Sequence, residues 1–87
     1  MTWWRERQAL RLAAGKLTQE FAAMNVEGVG FRVRAHRHRS LQLLVWPEGG
    51  LDNFLIPAHG VGGISEAAEE LRRIVALYAV GQRPPFT

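Results

Sequence analysis

Residues 31–47 read FRVRAHRHRSLQLLVWP and alternate apolar with polar side chains. Phe31, Val33 and Ala35 fall on one face of an extended chain, because successive strand residues point to opposite faces. The same alternation begins again in LQLLVW. Two such runs in succession predict two antiparallel strands, with the hairpin connection within residues 37–40.

The segment before these strands predicts an amphipathic helix. From Thr2 to Met24, apolar side chains recur at helical spacing and form a single stripe. Thr2 suits the N-cap of this helix, and Asn25 suits its end. Gly15 lies in the helix interior, where glycine costs about 1 kcal/mol relative to alanine. We expect it to mark the close approach of another element.

The segment after the strands predicts a third strand and a second helix. FLIP at 54–57 follows the turn sequence PEGGLDN, in which Asp52 has no evident partner. A second helical stripe begins at Ile64, with Ser65 as the expected N-cap and Gly81 as the expected stop. The predicted element order is therefore α-β-β-β-α.

This order predicts an α+β fold in which a three-stranded antiparallel sheet carries two helices packed on one face. Such a sheet hides only one face beneath two helices, so its other face stays open. We expect residues 1–81 to form a single compact domain and residues 82–87 to form a flexible C-terminal tail.

The composition narrows the classes of function. The 87 residues include 11 Lys and Arg against 8 Asp and Glu, a net charge of +3, and all of these cations except Lys16 are arginine. The absence of cysteine excludes disulfides and thiolate metal sites. No apolar run approaches the roughly 18 residues of a membrane span, and the N-terminus lacks a secretory signal pattern. We expect a cytoplasmic protein with no membrane partner.

The open sheet face is the predicted binding surface. Gln42 marks the solvated side of the second strand, which places Leu44 and Trp46 on the same face as the cations of the first strand. No acid occurs between Glu27 and Glu48. An ordinary solvated strand also shows such alternation, but surfaces that serve only solubility usually mix both signs of charge. The candidate binding residues are Arg32, Arg34, His36, Arg37, His38, Arg39 and Trp46.

Trp4 and Arg11 form a second candidate contact. Its neighbour Trp3 belongs to the predicted helix stripe, so Trp4 is displaced from that stripe by about 100°. Arg11 lies seven residues after Trp4 on the same side. An exposed Trp beside an Arg indicates a partner or dimer contact. A terminal Trp that folds over the sheet edge is the alternative.

Neither metal binding nor catalysis is expected. His36 and His38, with His59 as a third ligand, have a spacing that can chelate zinc. The neighbouring arginines would repel a dication, and no carboxylate is placed to orient the imidazoles. Only Ser40 and Ser65 offer a serine nucleophile, without evident partners. We therefore predict no cofactor, no metal and no enzymatic activity.

Two hypotheses about function follow. In the first, the protein is a small binding module whose basic face of Arg, His and Trp holds nucleic acid through its phosphates and bases. In the second, it is a small inhibitor or adaptor, for example encoded by a phage or mobile element, whose Arg-rich face docks on an acidic partner protein. A homodimer that closes the open face against itself is a third possibility, although stacked arginines disfavour it.

Overall fold

The computed structural model describes residues 2–37 and 39–84, with side chains from Trp4 onward. The elements are α1 (Thr2–Ala23), β1 (Gly30–His36), β2 (Ser40–Trp46), β3 (Asp52–Pro57) and α2 (Gly63–Ala79). The strands form one antiparallel sheet in the order β1-β2-β3. The predicted α+β arrangement is confirmed.

Burial along the strands follows the predicted alternation. Val33 in β1 pairs with Leu43 in β2, which pairs in turn with Phe54 in β3. Leu43 is completely buried, as are Leu41 and Val45. The side chains between these positions point to the opposite face and are exposed or half-buried. The sheet therefore has one core face and one open face.

Both helices cover the core face. The side chains that α1 buries recur at intervals of three and four residues, and they are Leu10, Ala14, Leu17 and Phe21. The buried side chains of α2 are Ala67, Ala68, Leu71, Ile74, Val75 and Tyr78. An edge-on aromatic cluster joins helices and sheet, with ring centroids 6.1 Å apart for Phe21 and Phe31, 6.1 Å for Phe31 and Tyr78, and 6.4 Å for Phe54 and Tyr78.

The Thr18 hydroxyl, on α1, forms hydrogen bonds with the outer edge of β1. The backbone N–H of Val33 donates to Thr18 Oγ1 at 2.8 Å, and that hydroxyl lies 2.8 Å from the Ala14 carbonyl and 3.1 Å from the Val33 carbonyl. An unpaired edge strand invites pairing with other chains. Thr18 therefore ties the strand that carries Arg32 and Arg34 to the first helix.

A buried carboxylate joins β3, α2 and the C-terminal segment. Asp52 is only 5% exposed and accepts hydrogen bonds from the Tyr78 hydroxyl and from Arg83, whose Nε lies at 2.9 Å and Nη2 at 2.5 Å. The Arg83 guanidinium, assisted by the Tyr78 hydroxyl, holds the pKa of Asp52 below its usual value. Burial, reinforced by the Asp52 carboxylate, raises the pKa of Tyr78. The expectation that Asp52 lacks a partner is wrong, because its partners lie 26 and 31 residues away.

Three predictions about the helices are wrong. Thr2 is not the N-cap of α1, because it is already a residue of the helix. Ser65 is not the N-cap of α2, because the helix begins at Gly63 with Gly62 as its cap and no side-chain cap hydrogen bond. The positive φ of 52° at Gly63 lets the loop turn directly into the helix. No atom lies within 4 Å of the position that a Cβ would take at Gly15, so no other element approaches this glycine closely.

The predicted helix ends are confirmed. Asn25 has a φ of 50° just after α1, and Gly81 has a φ of 77° just after α2. Beyond Gly81, the N–H of Gln82 donates to the Leu77 carbonyl at 2.9 Å, and Pro84 is buried. Residues 85–87 lie outside the described part of the chain, and the tail at 82–87 stays a prediction.

Candidate binding surface

The open face consists of four cross-strand rows. Gly30 and Trp46 face each other at one end, and His36, Ser40 and Pro57 lie at the other. Between them run the rows Arg32, Leu44 and Asn53, and Arg34, Gln42 and Leu55. The sequence thus placed Arg32, Arg34, His36 and Trp46 on one face correctly, and β2 and β3 supply the remaining neighbours.

The cations of this face are available to a ligand. Within the described residues, Arg32 and Arg34 form no ion pair, and no carboxylate lies in the four rows. The arginines on and after α2 are all ion-paired: Arg72 with Glu20, Arg73 with Glu70 and Arg83 with Asp52. The arginines of the open face thus differ from those of α2, because no carboxylate of the described residues neutralises Arg32 or Arg34.

Trp46 is a partly exposed aromatic surface at one end of the face. Its side chain is 43% exposed. A Cβ built on Gly30 would lie 3.8 Å from the indole Cε3, so the ring lies beside this glycine and leaves it no more than ordinary van der Waals space. The β2 register that exposes Trp46 pairs its neighbour Val45 with Phe31 on the core face.

Apolar side chains occupy the middle of the face. Leu44 is half-buried, and Leu55 is 51% exposed. The two are diagonal neighbours on adjacent strands, because Leu44 pairs with Asn53 and Leu55 pairs with Gln42. Sequence reasoning did not single out Leu55, although alternation within FLIP places it opposite Phe54 and Ile56.

The hairpin arginines do not lie on the open face. Arg37 and Arg39 line a cleft of about 370 Å³ between the N-terminal half of α1 and the β1–β2 hairpin. Arg39 has a φ of 54°, and its Nε lies 2.9 Å from Glu6 Oε2. His36, at the end of β1, lines the same cleft. The predicted site residue His38 lies outside the described residues.

Helix α1 supplies the other wall of this cleft. Arg7 and Arg11 line it from one helix face, four residues apart. Trp4 is 58% exposed and precedes Arg7 by three residues, which places it on the same face one turn earlier. Arg11 therefore belongs to the basic cleft, and Arg7 is a residue that sequence reasoning missed. Arg7 could have been identified from the sequence, because it lies three residues after Trp4 and four before Arg11, on the same helix face.

No metal centre is found in the part of the chain that the structure describes, where no group of three or more His, Asp or Glu side chains could hold an ion. His36 lines the cleft between α1 and the hairpin, whereas His59 lines a neighbouring cavity that shares Glu6, Leu10 and Arg39 with it. Among the described residues, no helix is both long and apolar enough to cross a membrane.

Comparison of the chain with protein-family profiles, with curated proteins and with solved structures found no match. The function is therefore inferred from the surface itself.

Proposed function

We propose that this protein is a non-enzymatic, cytoplasmic binding module that holds single-stranded nucleic acid on its open sheet face. The observation that supports the proposal most directly is the arrangement on β1 and β2. Among the residues that the structure describes, Arg32 and Arg34 have no carboxylate partner, and Arg32 lies in the row next to the exposed indole of Trp46. Arginine side chains attract the phosphates of a single strand, and the tryptophan ring stacks on its unpaired bases.

The arginines contribute phosphate contacts. A planar guanidinium donates several hydrogen bonds in a geometry that matches phosphate oxygens. Arg32 and Arg34 are two residues apart on one strand face, so they lie about 7 Å apart along the chain. Because each neutralised phosphate releases counterions, binding through them weakens as the salt concentration rises.

Trp46 contributes a stacking surface. Stacking of a base on an aromatic side chain is worth about 1–3 kcal/mol and tolerates any base, since every base has a π face. An unpaired base reaches a ring on an open sheet more readily than a base inside a duplex does. Single strands are therefore preferred over duplexes.

The proposal is tested by fluorescence anisotropy with labelled single-stranded and duplex DNA and RNA across a range of salt concentrations. The double variant Arg32→Gln/Arg34→Gln should reduce the dependence of log K on log salt by about 1.4, from about 0.7 per single-strand phosphate. Trp46→Ala should weaken binding roughly 5- to 150-fold, from the stacking energy.

A matched control removes the same charge elsewhere. Arg72→Gln/Arg73→Gln lies on α2, where both arginines are already ion-paired. It should leave the salt dependence nearly unchanged, because these cations are not on the open face. Equal losses of affinity in the two double variants would show that only the net charge of the protein matters. If the unmodified protein binds no nucleic acid even at low salt, the proposal is refuted.

The apolar middle of the face favours a second candidate function, a protein-binding inhibitor or adaptor of phage or mobile-element origin. Leu44 next to Trp46 along β2, together with Leu55 on β3, gives the face a mixture of apolar, aromatic and arginine side chains. Aromatic and arginine side chains are the residues most enriched at hot spots of protein interfaces. An acidic partner would complement the arginines.

Leu55→Gln separates the two functions. The substitution removes apolar surface without altering charge, so nucleic-acid affinity should stay within about twofold, whereas a protein interface centred on this leucine loses affinity. Reduced nucleic-acid binding in this variant would show that the leucine contributes to the nucleic-acid site as well.

A further inference from the structure

We infer that the cleft between α1 and the β1–β2 hairpin is a phosphate site that takes the same strand as it passes around the end of β1. This inference rests on the proposed function and extends it to a second site. Its main residues are Arg7, Arg11, His36, Arg37 and Arg39, with Glu6 as a structural partner.

The lining of the cleft carries a net positive charge. Its lining contains four arginines and one glutamate. The resulting +3 equals the formal net charge of the whole chain. Arg11 and Arg37 form no ion pair with any residue that the structure describes. A concentration of like charge on facing walls attracts a multivalent anion.

The cleft is held in place on both sides. Glu6 Oε2 lies 2.9 Å from Arg39 Nε, and this ion pair between half-exposed side chains joins α1 to the hairpin. The Arg39 carbonyl accepts a hydrogen bond from the Ala58 N–H at 2.7 Å, which ties the hairpin to the end of β3. A volume of about 370 Å³ accommodates a phosphate with its sugar.

Geometry connects the cleft to the open face. His36 belongs to the last row of that face and also lines the cleft. The six residue steps along β1 from Gly30, opposite Trp46, to His36 span about 20 Å. At the 3.4 Å per nucleotide of a helically stacked strand, that distance takes about six nucleotides, and a more extended single strand covers it with fewer. Arg32 and Arg34 lie along the route.

Trp4 lies outside the cleft lining, one helical turn before Arg7 on the same face of α1, and offers an exposed aromatic ring there. The arrangement repeats that of the open face, where Trp46 accompanies Arg32. A nucleotide whose phosphate enters the cleft can place its base on the Trp4 ring.

The experiment compares Arg11→Gln/Arg37→Gln with Arg32→Gln/Arg34→Gln and with the control Arg72→Gln/Arg73→Gln. Each is titrated with oligonucleotides of three to twelve nucleotides, with and without a 5′-phosphate. In the unmodified protein, affinity should rise with length until both sites are filled, at about six to eight nucleotides. The cleft variant should reach its plateau at shorter lengths, and its salt dependence on long strands should fall by about 1.4.

The 5′-phosphate distinguishes the two sources of the anion. A gain of affinity from this group that the cleft variant loses assigns the site to a strand end. A length effect without such a gain assigns it to an internal phosphodiester, and both results support the phosphate site.

The outcomes separate the inference from the function on which it rests. If the cleft variant binds like the unmodified protein at every length and salt while the open-face variant is impaired, the inference is overturned and the proposed function stands. Loss confined to the cleft variant supports the phosphate site and overturns the open face as the binding surface.

Discussion

Replacing Thr18 by Val should destabilise the fold by about 1–2 kcal/mol, because it removes the hydroxyl that pairs with the edge of β1. Thr18 Oγ1 accepts the Val33 N–H at 2.8 Å. Valine has nearly the same shape and helix propensity as threonine, so the substitution isolates the hydroxyl.

The magnitude follows from the lost partners. One neutral hydrogen bond contributes about 0.5–1.5 kcal/mol net, and a buried donor left without a partner costs about 1–3 kcal/mol. The site is only partly buried, so water compensates part of this cost and the lower half of the range applies. At about 4–8 °C per kcal/mol for a domain of this size, Tm should fall by roughly 4–16 °C.

Thermal and urea unfolding followed by circular dichroism measure the change, and Thr18→Ser is the matched control. Serine keeps the hydroxyl and loses one half-buried methyl, so it should cost less than about 0.8 kcal/mol. Amide exchange of Val33 gives a local readout, since its protection should fall at least tenfold more than that of Leu43 in the central strand. If Thr18→Val is as stable as Thr18→Ser, the hydroxyl does not hold the edge of β1 and the reasoning fails.

Three further substitutions test other parts of the fold. Asp52→Asn should lower Tm at pH 7. Its deficit should narrow as pH falls below about 4 towards the lower folded-state pKa of Asp52, because the stability due to that lowered pKa is fully present above the unfolded value of about 3.9 and is lost as the folded carboxylate is protonated; a pH-independent deficit in melting experiments would contradict this. Gly15→Ala should raise the free energy of unfolding in urea by about 1 kcal/mol, since the site is open and helical. Gly81→Ala should lower it by about 1–2 kcal/mol, because only the φ of 77° opposes the new side chain; equal effects at the two glycines would refute the conformational explanation.

The periodicity of the sequence was enough to predict the element order and the open face. A period of two in FRVRAHRHRSLQLLVWP separates the side chains of each strand onto two faces, whatever the rest of the chain does. Helical spacing likewise predicted the buried side of each helix, although Met24, at the end of the predicted stripe, is 44% exposed. Both features depend only on residues close together in the sequence, so the sequence pattern is enough to predict them. For the same reason Arg32, Arg34 and Trp46 were correctly assigned to one surface.

The pairings between distant residues were decided only by the tertiary structure. Asp52 accepts hydrogen bonds from Tyr78 and Arg83, and Thr18 accepts one from Val33. Packing of the helices on the sheet brings these groups together, and no short-range sequence pattern connects them. At the hairpin, Arg39 has a positive φ and forms an ion pair with Glu6. Arg37 and Arg39 both line the cleft between α1 and the hairpin instead of extending the open face. Alternation predicts side-chain direction only while the chain stays extended, and it ends where the hairpin turns. The position of α1 against the hairpin then determines that these arginines meet Arg7 and Arg11.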